Sequence, residues 1–249
     1  MSKQVNWYDK PENFNNIVEI ANKITESYPN SRIFSLGQSP AWFVKAEELL
    51  VKASHHSEAI FDYIAFSGKF YKKSELEQEF KKEFTIDKGN EANYRVYLKS
   101  INMDPDSIID SFKAGQQTVI VEYTQMGRGL ASFLSVLCNW AKEEGKKELL
   151  EDSFKIAILA QDCNEITNII IPGEVYFQCD KYFVDTELII LMSGDKAGKV
   201  DGRENLDRLV PYYPYWKWNQ SPTPLENNEL VTEIIGELQV SVNEFLSTN

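Results

Sequence analysis

Hydrophobic positions along the chain alternate between helical spacing and short unbroken runs. Ile17, Ile20, Ala21 and Ile24 recur three or four apart and predict an amphipathic helix over 14–26. Arg32-Ile33-Phe34-Ser35-Leu36 then reads as a strand, Gly37-Gln38 as a turn, and Ser39-Pro40 as the cap and first-turn proline of a second helix. That helix shows Trp42, Ala46, Leu49, Leu50 and Ala53 on one face. A further strand is expected over 59–66, ending in Ser67-Gly68. From 69 to 117 the pattern turns polar and helical, with pieces over 75–84, 91–101 and 107–114 and Pro105 near the start of the last. This stretch reads as a helical insertion or as long crossover helices.

Thr118-Val119-Ile120-Val121-Glu122 is the clearest strand, a β-branched run suited to burial on both faces of a parallel sheet. A turn at Gly127-Arg128-Gly129 follows, then a helix turning Leu130, Phe133, Leu134, Leu137 and Ala141 inward. Strands are expected over 155–160, Asn168–Ile171 and 187–192. A closing helix over 226–247 carries Leu230, Ile234, Leu238, Val242 and Phe245 as its stripe. Strands alternating with helices predict an α/β fold, a mainly parallel sheet with helices on both faces in a Rossmann-like three-layer arrangement. One domain over 1–249 is expected, with 69–117 as its helical insertion.

Charge narrows the partners. With 26 basic and 38 acidic residues the net charge is −12, which opposes general attraction to nucleic acid and to anionic membranes. No apolar run approaches the ~20 residues that span a bilayer. The first ten residues lack the apolar stretch of a secretory signal. Three cysteines without a Cys-x-x-Cys pair suggest neither a disulfide framework nor zinc, so a reducing, cytoplasmic setting is expected. His55 and His56, the only histidines, end a helix and read as a cap in preference to a metal site. Cys138 falls on a core-facing helix position, and Cys163 has no basic neighbour to activate it.

Candidate chemistry lies in loops after strands, because open α/β sheets take ligands beyond the carboxyl ends of their strands. The first such loop contains Gly37, Gln38 and Ser39, where a glycine turn and a helix start favour an anion. Gly37-x-Ser39 also resembles a hydrolase nucleophile elbow. Pro40 and Ala41 break that pattern, and the histidines come too early for the usual triad order. The second loop offers Glu122, Tyr123, Thr124, Gln125, Gly127, Arg128, Gly129 and Ser132. Its glycines and arginine are suited to enclosing a phosphate, and Glu122 to receiving sugar hydroxyls. A third loop over 193–199, continuing to Arg203 and Arg208, is locally basic and suited to a diphosphate, but reads more readily as a solvated surface. The segment Pro211-Tyr212-Tyr213-Pro214-Tyr215-Trp216-Lys217-Trp218 offers aromatic faces for a base, for a partner protein or for anchoring the loop itself.

Hydrophobic strand, acidic residue, polar loop with glycine and then helix together resemble the sugar-phosphate motif of phosphoribosyltransferases. Val119-Ile120-Val121 takes the place of the strand, Glu122-Tyr123 of the acidic pair, and 124–132 of the phosphate loop. The Gly37-Gln38 turn is similar to the family's diphosphate loop. The resemblance implies a phosphoribosyltransferase-like fold that binds a phosphorylated sugar or nucleotide. It extends to magnesium-dependent transfer of a phosphoribosyl group, or to a catalytically inactive relative acting through protein contacts. Two departures bear on this choice. Tyr123 replaces the second acid, and Gly127-Arg128-Gly129-Leu130 replaces the family's Thr-Gly-x-Thr. A homodimer or another protein partner is left open.

Overall fold

The computed structural model describes residues 6–54, 59–66, 88–123, 128–160, 168–171, 175–185, 187–188, 192, 207–211, 213–214, 217–222, 225 and 228–248. After a short 3-10 turn at Trp7–Asp9, α1 runs over Pro11–Ser27, β1 over Arg32–Leu36 and α2 over Ala41–Ser54. β2 (Ile60–Ile64) is followed by α3 (Lys88–Ser100) and α4 (Pro105–Lys113), which carry the chain to β3 (Thr118–Tyr123). Next come α5 (Arg128–Glu143), α6 (Lys147–Ser153), β4 (Phe154–Ala160), β5 (Asn168–Ile171), β6 (Val175–Phe183) and α7 (Glu229–Thr248).

The strands form one sheet in the order β2-β1-β3-β4-β6-β5. β1, β2, β3, β4 and β6 are parallel, and β5 pairs antiparallel with β6 at the edge. Alternation along the strands divides the core into two layers. Ile33, Val119, Val121, Ala157 and Leu159 pack under α1, α2 and α7. Phe34, Leu36, Ile120, Ile156 and Ile158 pack under α3, α4, α5 and α6. Helices therefore cover both faces, in a three-layer α/β architecture. No helix among the described residues is long and apolar enough to cross a membrane.

The amino-terminal edge of the sheet is fastened by buried Arg32. Its guanidinium donates to the Asn102 carbonyl at 2.7 Å and to Ser111 Oγ at 2.9 Å, which draws the α3–α4 turn against the start of β1. Asp104 caps α4 by accepting from the Ser107 N–H at 3.2 Å, with Pro105 in the first turn. Within the stretch over 69–117, α3 and α4 are the crossover that brings the chain from one side of β1 to the other. Residues 69–87, with the helix expected over 75–84, lie outside the described residues.

Two expectations require correction, and two further elements are unexpected. The second helix starts at Ala41, since the Pro40 carbonyl accepts from Phe43 and Val44, so Ser39 and Pro40 belong to the preceding turn. Glu187, Leu188 and Met192 are helical, not extended. The Asp185 carboxylate accepts from the Glu187 and Leu188 N–H groups at 2.8 and 3.1 Å, the arrangement of a helix cap. The strand beside β4 is instead β6, nine residues that had not been read as extended. Between α5 and β4, the seven-residue α6 was also not foreseen.

Candidate functional site

The carboxyl ends of β1 and β3 lie side by side. These strands pair in parallel with Ser35 beside Val121, so their exits open at the same edge of the sheet, about 4.8 Å apart in the pairing direction. From there the chain diverges. Helix α2 follows β1 onto one face, and α5 follows β3 onto the other. A parallel sheet in this order reverses its winding between these two strands and leaves a crevice there. Each of the two helices points its amino-terminal end, and the positive end of its dipole, toward that crevice.

Gly37 makes the turn after β1 with φ +73°, a left-handed conformation that favours glycine. Its N–H donates to the Ile64 carbonyl at 2.9 Å, and a Cβ would stand 2.9 Å from the Phe66 carbonyl oxygen. The glycine thus serves the close approach of the β2 exit. The Gln38 side chain is engaged by a distant part of the chain. Its Oε1 accepts from the Leu209 and Val210 N–H groups at 2.9 and 3.0 Å, and its Nε2 donates to the Asp207 carbonyl at 3.3 Å. Ser39 is partly exposed in the turn ahead of α2.

On β3, Tyr123 packs with Val119 and Val121 against the α1–α2 layer. Glu122, by strand alternation, belongs to the opposite, α5-covered face together with Ile120. Burial pushes its carboxyl well above the usual carboxylate range, partly offset by the Tyr123 N–H. The residue as a whole keeps part of its area exposed. Arg128 and Gly129 form the first turn of α5 and are not a loop. Ser132 is fully buried in the next turn, where its carbonyl accepts from Ser135 Oγ at 2.7 Å. Thr124, Gln125 and Gly127 lie outside the described residues, as do Met126, His55, His56, Cys163 and the third loop over 193–199.

The magnesium implied by the phosphoribosyltransferase resemblance does not suit this strand end. Tyr123 is turned to the other face, so Glu122 is the one carboxylate that this pair of positions offers, fewer than a divalent cation held by protein oxygens takes. Among the described residues, no group of three or more His, Cys, Asp or Glu is placed to hold a metal.

The aromatic segment is divided in its surroundings. Tyr213 and Trp218 are buried, and Trp218 stacks on Tyr94 with ring centres 3.9 Å apart and planes 9° from parallel. Tyr213 Oη donates to the Gln220 carbonyl at 2.6 Å, and Phe66 adjoins Trp218 at 6.2 Å. These two rings anchor the segment. Tyr212, Tyr215 and Trp216 lie outside the described residues. Cys138 is buried, its thiol pushed up to about 12 by burial, and is packing material.

Sequence reading did not connect 207–210 to this edge. The only local sign was Arg208 in a basic stretch, and the partner glutamine lies some 170 positions earlier. No family model matches the chain, and neither the curated proteins nor the solved structures return a match.

Proposed function

We propose that this protein binds a small phosphorylated ligand, a sugar phosphate or a nucleotide, in the crevice between the ends of β1 and β3. The observation that carries the reading is the divergence of α2 and α5 from neighbouring parallel strands, which aims two helix amino termini at one opening. Helix amino termini present free N–H groups and positive potential, which suit a phosphate. Arg128 is the first residue of α5. Glu122, whose charged form burial disfavours, offers carboxyl oxygens for a sugar hydroxyl.

The phosphoribosyltransferase resemblance supports this ligand class and raises transfer as a second activity. The inward packing of Tyr123, where the motif has its second acid, favours binding without transfer. Buried Tyr213 and Trp218 are not available as a stacking platform for a base.

A thermal-shift screen with phosphoribosyl diphosphate, ribose 5-phosphate and nucleoside monophosphates, each with and without magnesium, tests the reading. A ligand at one hundred times its Kd stabilises the fold by about 2.7 kcal/mol, so a true ligand raises Tm visibly. Arg128→Ala is expected to weaken the responding ligand about tenfold or more while leaving the Tm of the free protein in place. Absence of any shift across the panel would remove the crevice as a phosphate site. Diphosphate release from phosphoribosyl diphosphate with a panel of nucleobases separates transfer from binding.

A further inference from the structure

Trp7 and Asp207 lie 200 positions apart, yet Trp7 Nε1 donates to Asp207 Oδ2 at 2.8 Å. Trp42, on α2, donates its own Nε1 to the Asp207 carbonyl at 3.2 Å. Gln38, in the turn after β1, donates to the same carbonyl and accepts from the Leu209 and Val210 N–H groups. Each of these bonds comes from a side chain, and the strap over 207–210 belongs to no helix or strand. Val210 is buried in the core layer under α5, which anchors the strap's far end.

Trp7 is buried against Tyr8, Phe14 and Trp42, with ring centres 5.6, 5.4 and 5.3 Å away. Its backbone is fixed locally. The Trp7 carbonyl accepts from Asn13 Nδ2 at 2.7 Å, and Asn6 and Asp9 close a capping box around the 3-10 turn. An indole has one donor and no acceptor, so the buried Trp7 N–H depends on Asp207 alone. Removing that acceptor would leave a buried donor unsatisfied, the costly way to lose a hydrogen bond. The segment's other tie, Lys10 to Glu187 at 2.6 Å, is a surface ion pair and contributes little. Asp207 is therefore the shared link, its carboxylate holding Trp7 and its carbonyl holding Trp42 and Gln38.

We infer that residues 6–10 and the strap over 207–210 form one latch, pinned at Asp207, that opens as a unit ahead of the sheet. Segments held by side chains, without ladder or helical bonds, open at lower free energy than core strands. Two segments that share one link shift each other's opening reciprocally. Whatever engages the amino-terminal segment is thereby transmitted to the end of β1, where release of the strap frees the Gln38 amide. The latch stands independently of the phosphate-binding reading.

Amide hydrogen exchange of the full chain, read residue by residue, tests the inference. Trp7→Phe keeps a ring in place and removes the N–H. It is expected to speed exchange at Leu209 and Val210 about tenfold or more, although those amides bond to Gln38 and not to Trp7. Exchange at Val119 and Ile158 in the sheet is expected to stay at the wild-type rate. Gln38→Ala is expected to act in the opposite direction along the chain, speeding the Asp9 and Asn13 amides, which bond within the amino-terminal turn. Asp207→Ala removes the pin while leaving every partner side chain in place, and is expected to speed both sets. It supplies the measurement should the Trp7 variant fold poorly. Strap amides at wild-type rates in Trp7→Phe and Asp207→Ala would show that the two ends open independently, and the latch would fall. Amino-terminal amides at wild-type rates in Gln38→Ala would overturn it in the same way. Sheet amides that accelerate by the same factor would mean global opening, which also overturns it.

Discussion

Glu47 is the least expected residue of the interior. It lies on the inward face of α2, fully buried, and neither carboxyl oxygen has a hydrogen-bond partner. An ionised carboxylate in such a place is very costly, so burial drives its pKa well above the ordinary 4.5. The groups that feel its charge are Tyr63 on β2 and Tyr182 on β6, both acids themselves, and Glu48 adds further negative charge near Tyr63. The folded protein therefore holds Glu47 as a neutral acid, whereas the unfolded chain ionises it above pH 4.5. A raised folded-state value means that stability is fully present below the unfolded value and is lost as pH rises toward the folded one. Glu47→Leu removes this term. It is expected to raise stability by about 1–3 kcal/mol at neutral pH, with the gain shrinking as pH falls below the carboxylate range. Urea titrations of both proteins across pH measure it. Glu122 titrates alike in both and cancels from the difference. A gain that does not change with pH would show that the Glu47 pKa is the same in the folded and unfolded chains.

Elements were legible where one physical signal dominated. β1 was read with its observed limits, and β3 and β4 to within one residue, because their short, mostly apolar runs are buried. β6 escaped because Gln178, Asp180 and Lys181 interrupt its apolar pattern. The run over 187–192 misled for the opposite reason. A short apolar run fits a buried helix as well as a strand, and only the cap at Asp185 discriminates. At the candidate site the glycine turn was legible, but the grip of Gln38 on 207–210 was not, since nothing near Gln38 in sequence encodes its partner. The aromatic segment belongs to this scale too. Trp218 is packed face to face on Tyr94 from α3, with Nε1 donating to the Tyr213 carbonyl at 3.4 Å. Trp218→Ala is expected to cost about 3–5 kcal/mol in chemical denaturation, as truncating a fully buried aromatic does. Trp218→Phe keeps much of the stacked area and should lose clearly less. A loss under about 1 kcal/mol for the alanine variant would mean that the ring is not an anchor.

At the scale of the whole molecule, two features act on the crevice in opposite directions. The topology brings two helix amino termini, that of α2 at Ala41 and that of α5 at Arg128, to one sheet edge. The rest of the chain contributes an excess of acidic charge, −12 in total, spread over distances comparable to the size of the protein. Salt separates these contributions, since charges beyond a Debye length are screened and contacts at the site are not. That length falls from about 30 Å at 0.01 M to about 8 Å at 0.15 M. At low salt an approaching phosphate feels the repulsion of the entire surface, and at higher salt chiefly the two helix ends. The association rate of a phosphorylated ligand, followed by tryptophan fluorescence in stopped flow, is therefore expected to rise with added salt. Encounters between opposite charges behave the other way, slowing steeply as salt is added. A rate that falls several-fold would reveal a positive field around the crevice larger than these helix ends supply, and would call for cations at that edge of the sheet.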